Sequence, residues 1–106
     1  MDLDLNSLPV VHNEAENRFE VTIDGQMALA TYRLRDNRMI INHTEVPPHL
    51  RGRGIAAKIA RAALDYARSH NLLVLPTCPY TAGFIRKHAE YQDLVPPDVR
   101  ENFLGS

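Results

Sequence analysis

The residues best suited to chemistry fall in three places. The first is Arg51-Gly52-Arg53-Gly54-Ile55-Ala56. Its two glycines allow backbone angles and close approaches that a Cβ forbids, and its two arginines add positive charge. Where such a segment opens a helix, unpaired N–H groups and the positive end of the helix dipole form an anion site. There is neither a Walker-type Lys-Ser/Thr pair nor a GxGxxG run, so a plain nucleotide hydrolase is excluded. The same residues also suit a sharp strand-to-helix turn with two solvated arginines. The second place is Cys78, the sole cysteine, within Pro76-Thr77-Cys78-Pro79-Tyr80. Pro76 has no N–H, so its strand should part from a neighbour there and open a crevice. A thiol at the start of the next helix has its thiolate favoured by N–H dipoles. Cys78 is therefore expected to be acidic and reachable from the crevice; the alternative is an inert packing cysteine. The third place is His43 and Glu45, two apart and so on one face of a strand. Either is a candidate proton acceptor. Alternation puts His43 on the face of Met39 and Ile41, which equally suits a core histidine, and Glu45 equally suits a solvated charge.

The elements that position these groups follow from periodicity. Arg18–Asp24 alternates apolar and polar residues and reads as a strand. Asp24-Gly25 is a two-residue hairpin turn, followed by a strand at Gln26–Arg35, a second turn at Asp36-Asn37 and a strand at Arg38–Val46. Pro47-Pro48 ends this meander. From about Gly54 to His70, Ile55, Ala56, Ile59, Ala60, Ala63, Leu64 and Ala67 recur at helical spacing, with Asn71 suited to the C-terminal cap. The apolar run Leu72–Leu75 suits a strand buried on both faces, joined by the helical crossover in parallel to Arg38–Val46. Thr81–His88 reads as a short helix. Met1–Leu8 reads as a loose lead-in, Pro9–His12 as an edge segment, and Val99–Ser106 as a flexible tail after Pro96-Pro97.

The class is thus α/β, or more strictly α+β: an antiparallel meander, a helical crossover to a parallel strand, and a short C-terminal helix. The 106 residues fit one domain with a core over about residues 9–95. A net charge of -1 argues against a strongly basic nucleic-acid binder. No apolar run nears the ~20 residues that span a bilayer. The N-terminal MDLDLNSLPVV lacks the early basic residues of a signal peptide or presequence, so a cytoplasmic location is expected. One cysteine excludes an internal disulfide, and the five histidines have no compact ligand spacing, so no metal is expected.

The order of elements around Arg51–Ala56 resembles the core of the GCN5-related N-acetyltransferases, whose pyrophosphate-binding pattern is [Q/R]-x-x-G-x-[G/A]. The strings HTEVPP, RGxGIA and PTCPY, with a following helix and a terminal Tyr, are similar to the minimal, single-domain NATD1-like branch. The likeness runs from about Arg18 to Val95. No helix fits between Arg18 and Pro47, as in that branch. The resemblance implies acetyl-CoA or CoA as co-substrate, with its pyrophosphate on Arg51, Gly52, Arg53, Gly54, Ile55 and Ala56. It implies a thioester carbonyl near the Val46 N–H and an amine acceptor deprotonated by His43 or Glu45. It implies a catalytic or substrate-site role for Cys78, either in an acetyl-cysteine intermediate or beside a direct transfer. It also implies a final helix beside the cofactor's far end, where Thr81, Arg86, Lys87 and Tyr91 are candidates. The contrasting reading is a non-catalytic CoA-binding module. A third, an RNA-contacting module using Arg51, Arg53, Arg61, Arg86 and Lys87, is disfavoured by net charge and the want of an aromatic platform. A monomer or weak dimer is expected, without nucleic-acid or membrane partners.

Overall fold

Two tight turns organise the first half of the computed structural model, which describes residues 7–105. The rest of the expected lead-in, residues 1–6, and Ser106 lie outside the described residues. Strands β1 (Val11–Asn13), β2 (Arg18–Ile23), β3 (Gln26–Arg35) and β4 (Arg38–Glu45) are joined antiparallel in that order. Asp24 and Gly25 both have positive φ, as do Asp36 and Asn37. That is the geometry whose twist matches the flanking strands. A 3-10 turn at Pro48–Leu50 leads into α1 (Ile55–Ser69), which returns the chain to β5 (Leu73–Pro76), parallel to β4. Then come α2 (Pro79–Lys87), two further 3-10 turns and α3 (Arg100–Leu104).

Helix α1 presents Ile55, Ile59, Ala60, Ala63, Leu64 and Ala67 to one face of the sheet. There they meet Phe19, Val21, Ala28, Ala30, Met39, Ile41 and Val74. The alanines bring helix and sheet close, and each fully buried large side chain such as Ile59 contributes about 2–3 kcal/mol. The helix ends in a Schellman arrangement. Asn71 is left-handed at φ 56°, the Leu72 N–H bonds the Ala67 carbonyl at 2.8 Å, and the Asn71 N–H bonds Arg68 at 3.3 Å.

Three expectations are corrected. First, β5 is not buried on both faces. It is an edge strand whose Val74 and Pro76 are buried, whereas Leu73 is 38% exposed, because the helices cover one side of the sheet only. Second, Val99–Ser106 is not a loose tail as far as it is described. Leu104 is buried in the core, and Val99 and Phe103 pack against it. Third, β4 carries a bulge. Thr31 pairs with His43 but Tyr32 pairs with Ile41, so Asn42 is an extra residue. Past it the alternation is reversed: Thr44 takes the covered side, and His43 leaves the face of Met39 and Ile41.

At the sheet's far edge the His12 ring stacks on Phe19 at 4.2 Å, meets the edge of Tyr66 at 4.4 Å and hydrogen-bonds the Tyr32 hydroxyl. Burial holds His12 below its ordinary pKa of 6.5, against the raising effect of Glu14. The unfolded chain binds a proton near that value and the folded protein resists it. This contribution to stability is therefore complete above pH 6.5 and is lost as pH falls toward the folded pKa. Urea unfolding of wild type and His12→Gln should converge on acidification, with the variant showing the shallower loss as pH falls below 6.5. Parallel slopes would rule out His12 as the group responsible. Leu104→Ala should cost about 2 kcal/mol in the same assay; a cost near zero would mean that the C-terminal helix is not part of the core.

Candidate functional site

The parallel register of β4 and β5 ends at Ile41 opposite Pro76. The last links across the gap are made by the Cys78 N–H and the Thr77 hydroxyl, both donating to the Ile41 carbonyl, at 3.0 and 3.3 Å. Beyond them β4 runs on to Glu45 beside β3 alone. The widening gap is a groove of about 630 Å³. Its walls are His43–Val46 on one side, Leu50–Gly52 and Gly54–Ala57 at its mouth, and Tyr80 of α2 opposite.

The mouth of this groove is the N-terminus of α1. Gly52 and Gly54 sit at φ 78° and 82°, a region costly for residues with a Cβ. Gly54 is the N-cap, no side chain caps the helix, and the first carbonyl bond of the ladder is Lys58 N–H to Gly54 at 3.1 Å. The N–H groups of the first turn are thus left for an anion rather than satisfied by a Ser or Asp cap. Arg51 donates from Nε to the Val46 carbonyl at 3.1 Å, which ties the loop to the end of β4 and holds a positive charge at the groove. Arg53 is exposed and does not line the groove.

His43 and Glu45 line the groove and face each other, with Nε2 3.6 Å from Oε2. Their side chains are 60% and 63% exposed, so His43 is no core histidine. Cys78 is placed differently. It is the N-cap of α2, it is only 5% exposed, and it is absent from the groove wall. It touches that wall through Thr44, whose hydroxyl lies 3.4 Å from the sulfur. Burial pushes the thiol pKa up, but the Thr44 hydroxyl, the Thr81 and Tyr80 N–H groups and the Thr81 hydroxyl together bring it below the ordinary value. The surroundings favour the thiolate; the expected accessibility is absent.

A second groove of about 440 Å³ adjoins the first, sharing Ala57 and Tyr80, and is lined further by Arg61, Phe84, Lys87 and His88. Of the four far-end candidates, Lys87 alone lines it. Thr81 is buried against Cys78, and Arg86 turns to the Phe103 carbonyl at 3.4 Å. The Tyr91 hydroxyl donates to Asp65 at 2.8 Å and ties down α1. Sequence reasoning missed Thr44 and Tyr80. The bulge hid Thr44 by reversing its face. Tyr80 was readable, because it stands two residues past Cys78 in the first turn of α2.

Comparison with known proteins agrees with this geometry. Residues 18–94 match the family described as GCN5-related N-acetyl-transferase. Protein NATD1 of Bos taurus is 35% identical over 82 residues, covering 74% of this chain and 73% of the relative. Protein NATD1 of Danio rerio is 30% identical over 99 residues, covering 88% and 90%. A solution NMR structure of a GCN5-like protein from Staphylococcus aureus aligns with a TM-score of 0.69 at 30% identity, covering 87% of this chain and 91% of that one. The same five-stranded sheet, split beside a glycine-opened helix, is thus accompanied by sequence likeness over most of the chain, and the protein belongs to the GCN5-related N-acetyltransferase family as one of its minimal members.

Proposed function

We propose that this protein transfers an acetyl group from acetyl-CoA to a primary amine. The observation that carries the reading is the uncapped N-terminus of α1, opened by two left-handed glycines onto the groove between β4 and β5. The fit to a diphosphate is good. Several free N–H groups and Arg51 converge where no side chain supplies an anion. The neighbouring groove continues it past Ala57 and Tyr80, and Lys87 and Arg61 add cations at that far end.

The chemistry follows from the wall. An ammonium must lose a proton before its nitrogen attacks a thioester carbonyl. The His43–Glu45 pair stands on the groove with both groups solvated enough to accept it, directly or through water. The Val46 N–H, at the end of β4, is the candidate donor to the carbonyl oxygen as negative charge develops there. The new C–N bond then forms as the C–S bond breaks, and CoA leaves as thiolate to take up a proton. With Cys78 buried behind Thr44, direct transfer to the amine is favoured over an acetyl-cysteine intermediate. Cys78 then acts by fixing the start of α2.

Titration with acetyl-CoA followed by NMR, then turnover with a panel of amines, tests the proposal; binding without turnover would leave a CoA-binding module. Gly54→Ala should weaken CoA binding by about tenfold or more, by placing a Cβ where the diphosphate meets the backbone. Gly25→Ala, with a similar φ of 77° in a distant hairpin, controls for strain and should leave CoA affinity unchanged. Equal losses in the two would remove the site from this loop. Glu45→Gln should lower kcat by about a hundredfold, and Cys78→Ala should stay within about threefold of wild type. An acetyl adduct on Cys78 with turnover abolished in Cys78→Ala would reverse that assignment.

A further inference from the structure

The face of the sheet that the helices leave open has two ends of opposite charge. At the β3–β4 hairpin, Arg33, Arg35 and Arg38 share this face. Arg35 is directly opposite Arg38, and Arg33 is opposite Ile40. All three are exposed, and among the described residues none is in an ion pair, not even with Asp36 in the turn between them. Like charges directly opposite on neighbouring strands destabilise a hairpin, so the arrangement has a cost that no described acid offsets. At the other end of the same face, Leu29 is flanked by Glu20 on β2 and Glu45 on β4. Glu20 is already held by Arg18 and Asn13, which leaves Glu45, with His43, as the acidic group at the groove. Between the two ends lies Thr31, paired with His43, and half-buried Ile40 and Leu75 stand level with Arg33.

From this arrangement we infer that the open face docks an acidic peptide segment, as the acceptor of the proposed transfer. The peptide's amine lies at His43 and Glu45, and its carboxylates reach the cluster of Arg33, Arg35 and Arg38. The inference rests on the acetyltransfer reading for the role of the amine, but not for the docking. The polarity is complementary at both ends: an ammonium meets the carboxylate of Glu45, and acids meet the arginines. Leu29 and Arg33 are four residues apart on β3, and Arg35 is two further. At about 3.3 Å per residue, an extended peptide places its acids some four to six residues from the amine. Half-buried Leu29 beside Glu45, and Ile40 and Leu75 beside Arg33, offer apolar contacts to side chains of a peptide. A nucleic acid would need aromatic platforms for its bases, and the described residues of this face offer none.

The test uses the full chain saturated with CoA and fluorescent octapeptides carrying a free N-terminal amine. Positions five to seven of the peptide are Glu, Gln or Lys, and binding is read by anisotropy. The Glu peptide should bind about tenfold tighter than the Gln peptide, with the preference shrinking as salt rises. Arg33→Gln/Arg35→Gln/Arg38→Gln should erase the preference while CoA affinity stays at the wild-type value, which also reports an intact fold. Arg35→Glu/Arg38→Glu should turn the preference toward the Lys peptide. Equal binding of Glu and Gln peptides, or a preference that survives in the triple variant, overturns the docking surface. Tighter binding of a single-stranded RNA oligonucleotide that competes with the Glu peptide overturns it in favour of nucleic acid. Acetylation of simple amines without any gain from the acids would sink the docking surface and leave the transferase reading standing. Acid-selective binding without acetylation of any amine would do the reverse.

Discussion

The site depends on one event, the parting of β4 from β5 after Ile41 and Pro76. Proline has no N–H to continue the ladder, and the Ile41 carbonyl is instead shared by the Cys78 N–H and the Thr77 hydroxyl. That substitution turns the chain out of the sheet and into α2, with Pro79 at the first helical position, where a missing N–H costs nothing. The groove, the position of Tyr80 across it and the burial of Cys78 all follow from this turn. On the other side of the gap, the Arg51 bond to the Val46 carbonyl fixes the loop before α1, so that the helix N-terminus opens where the strands have separated.

Rigidity behind the site comes from packing that faces away from it. Helix α1 is held on the sheet by its apolar stripe. It is braced from the outside by the Tyr91–Asp65 hydrogen bond, by the double contact of Arg68 with Asp93, at 2.8 and 3.0 Å, and by Arg61 over the rings of Phe84 and Tyr91. The exposed Arg68–Asp93 pair adds little stability by itself. Its two-pronged geometry does fix the angle between α1 and the turn after α2. The N-terminus of α1 is thus presented by a braced helix, which suits a preorganised anion site.

The absence of helices over the second sheet face, among the described residues, has two consequences. It leaves one side of the edge strand β5 wet, and it leaves His43 and Glu45 open at the end of a face that carries opposite charges at its two ends. A small chain has too little apolar surface to build a second layer. Here the uncovered face coincides with the side of β4 from which an acceptor would reach the groove.

The local signals that determined most of the fold were strong ones. Alternation set β2 and β3, Asp24-Gly25 and Asp36-Asn37 set the hairpins, 3.6-residue periodicity set α1, and paired glycines marked the helix opening. Each depends only on neighbours in the chain, so each could be read without the structure. The tertiary structure decided what pairing between strands controls. The extra residue Asn42 opposite Thr31 cannot be seen in the sequence of β4, because a bulge exists only relative to the partner strand. It took His43 out of the core and gave Thr44 to Cys78. The burial of Cys78, the wet face of Leu73 and the seating of Leu104 in the core likewise depend on which surfaces meet, not on the local order of residues.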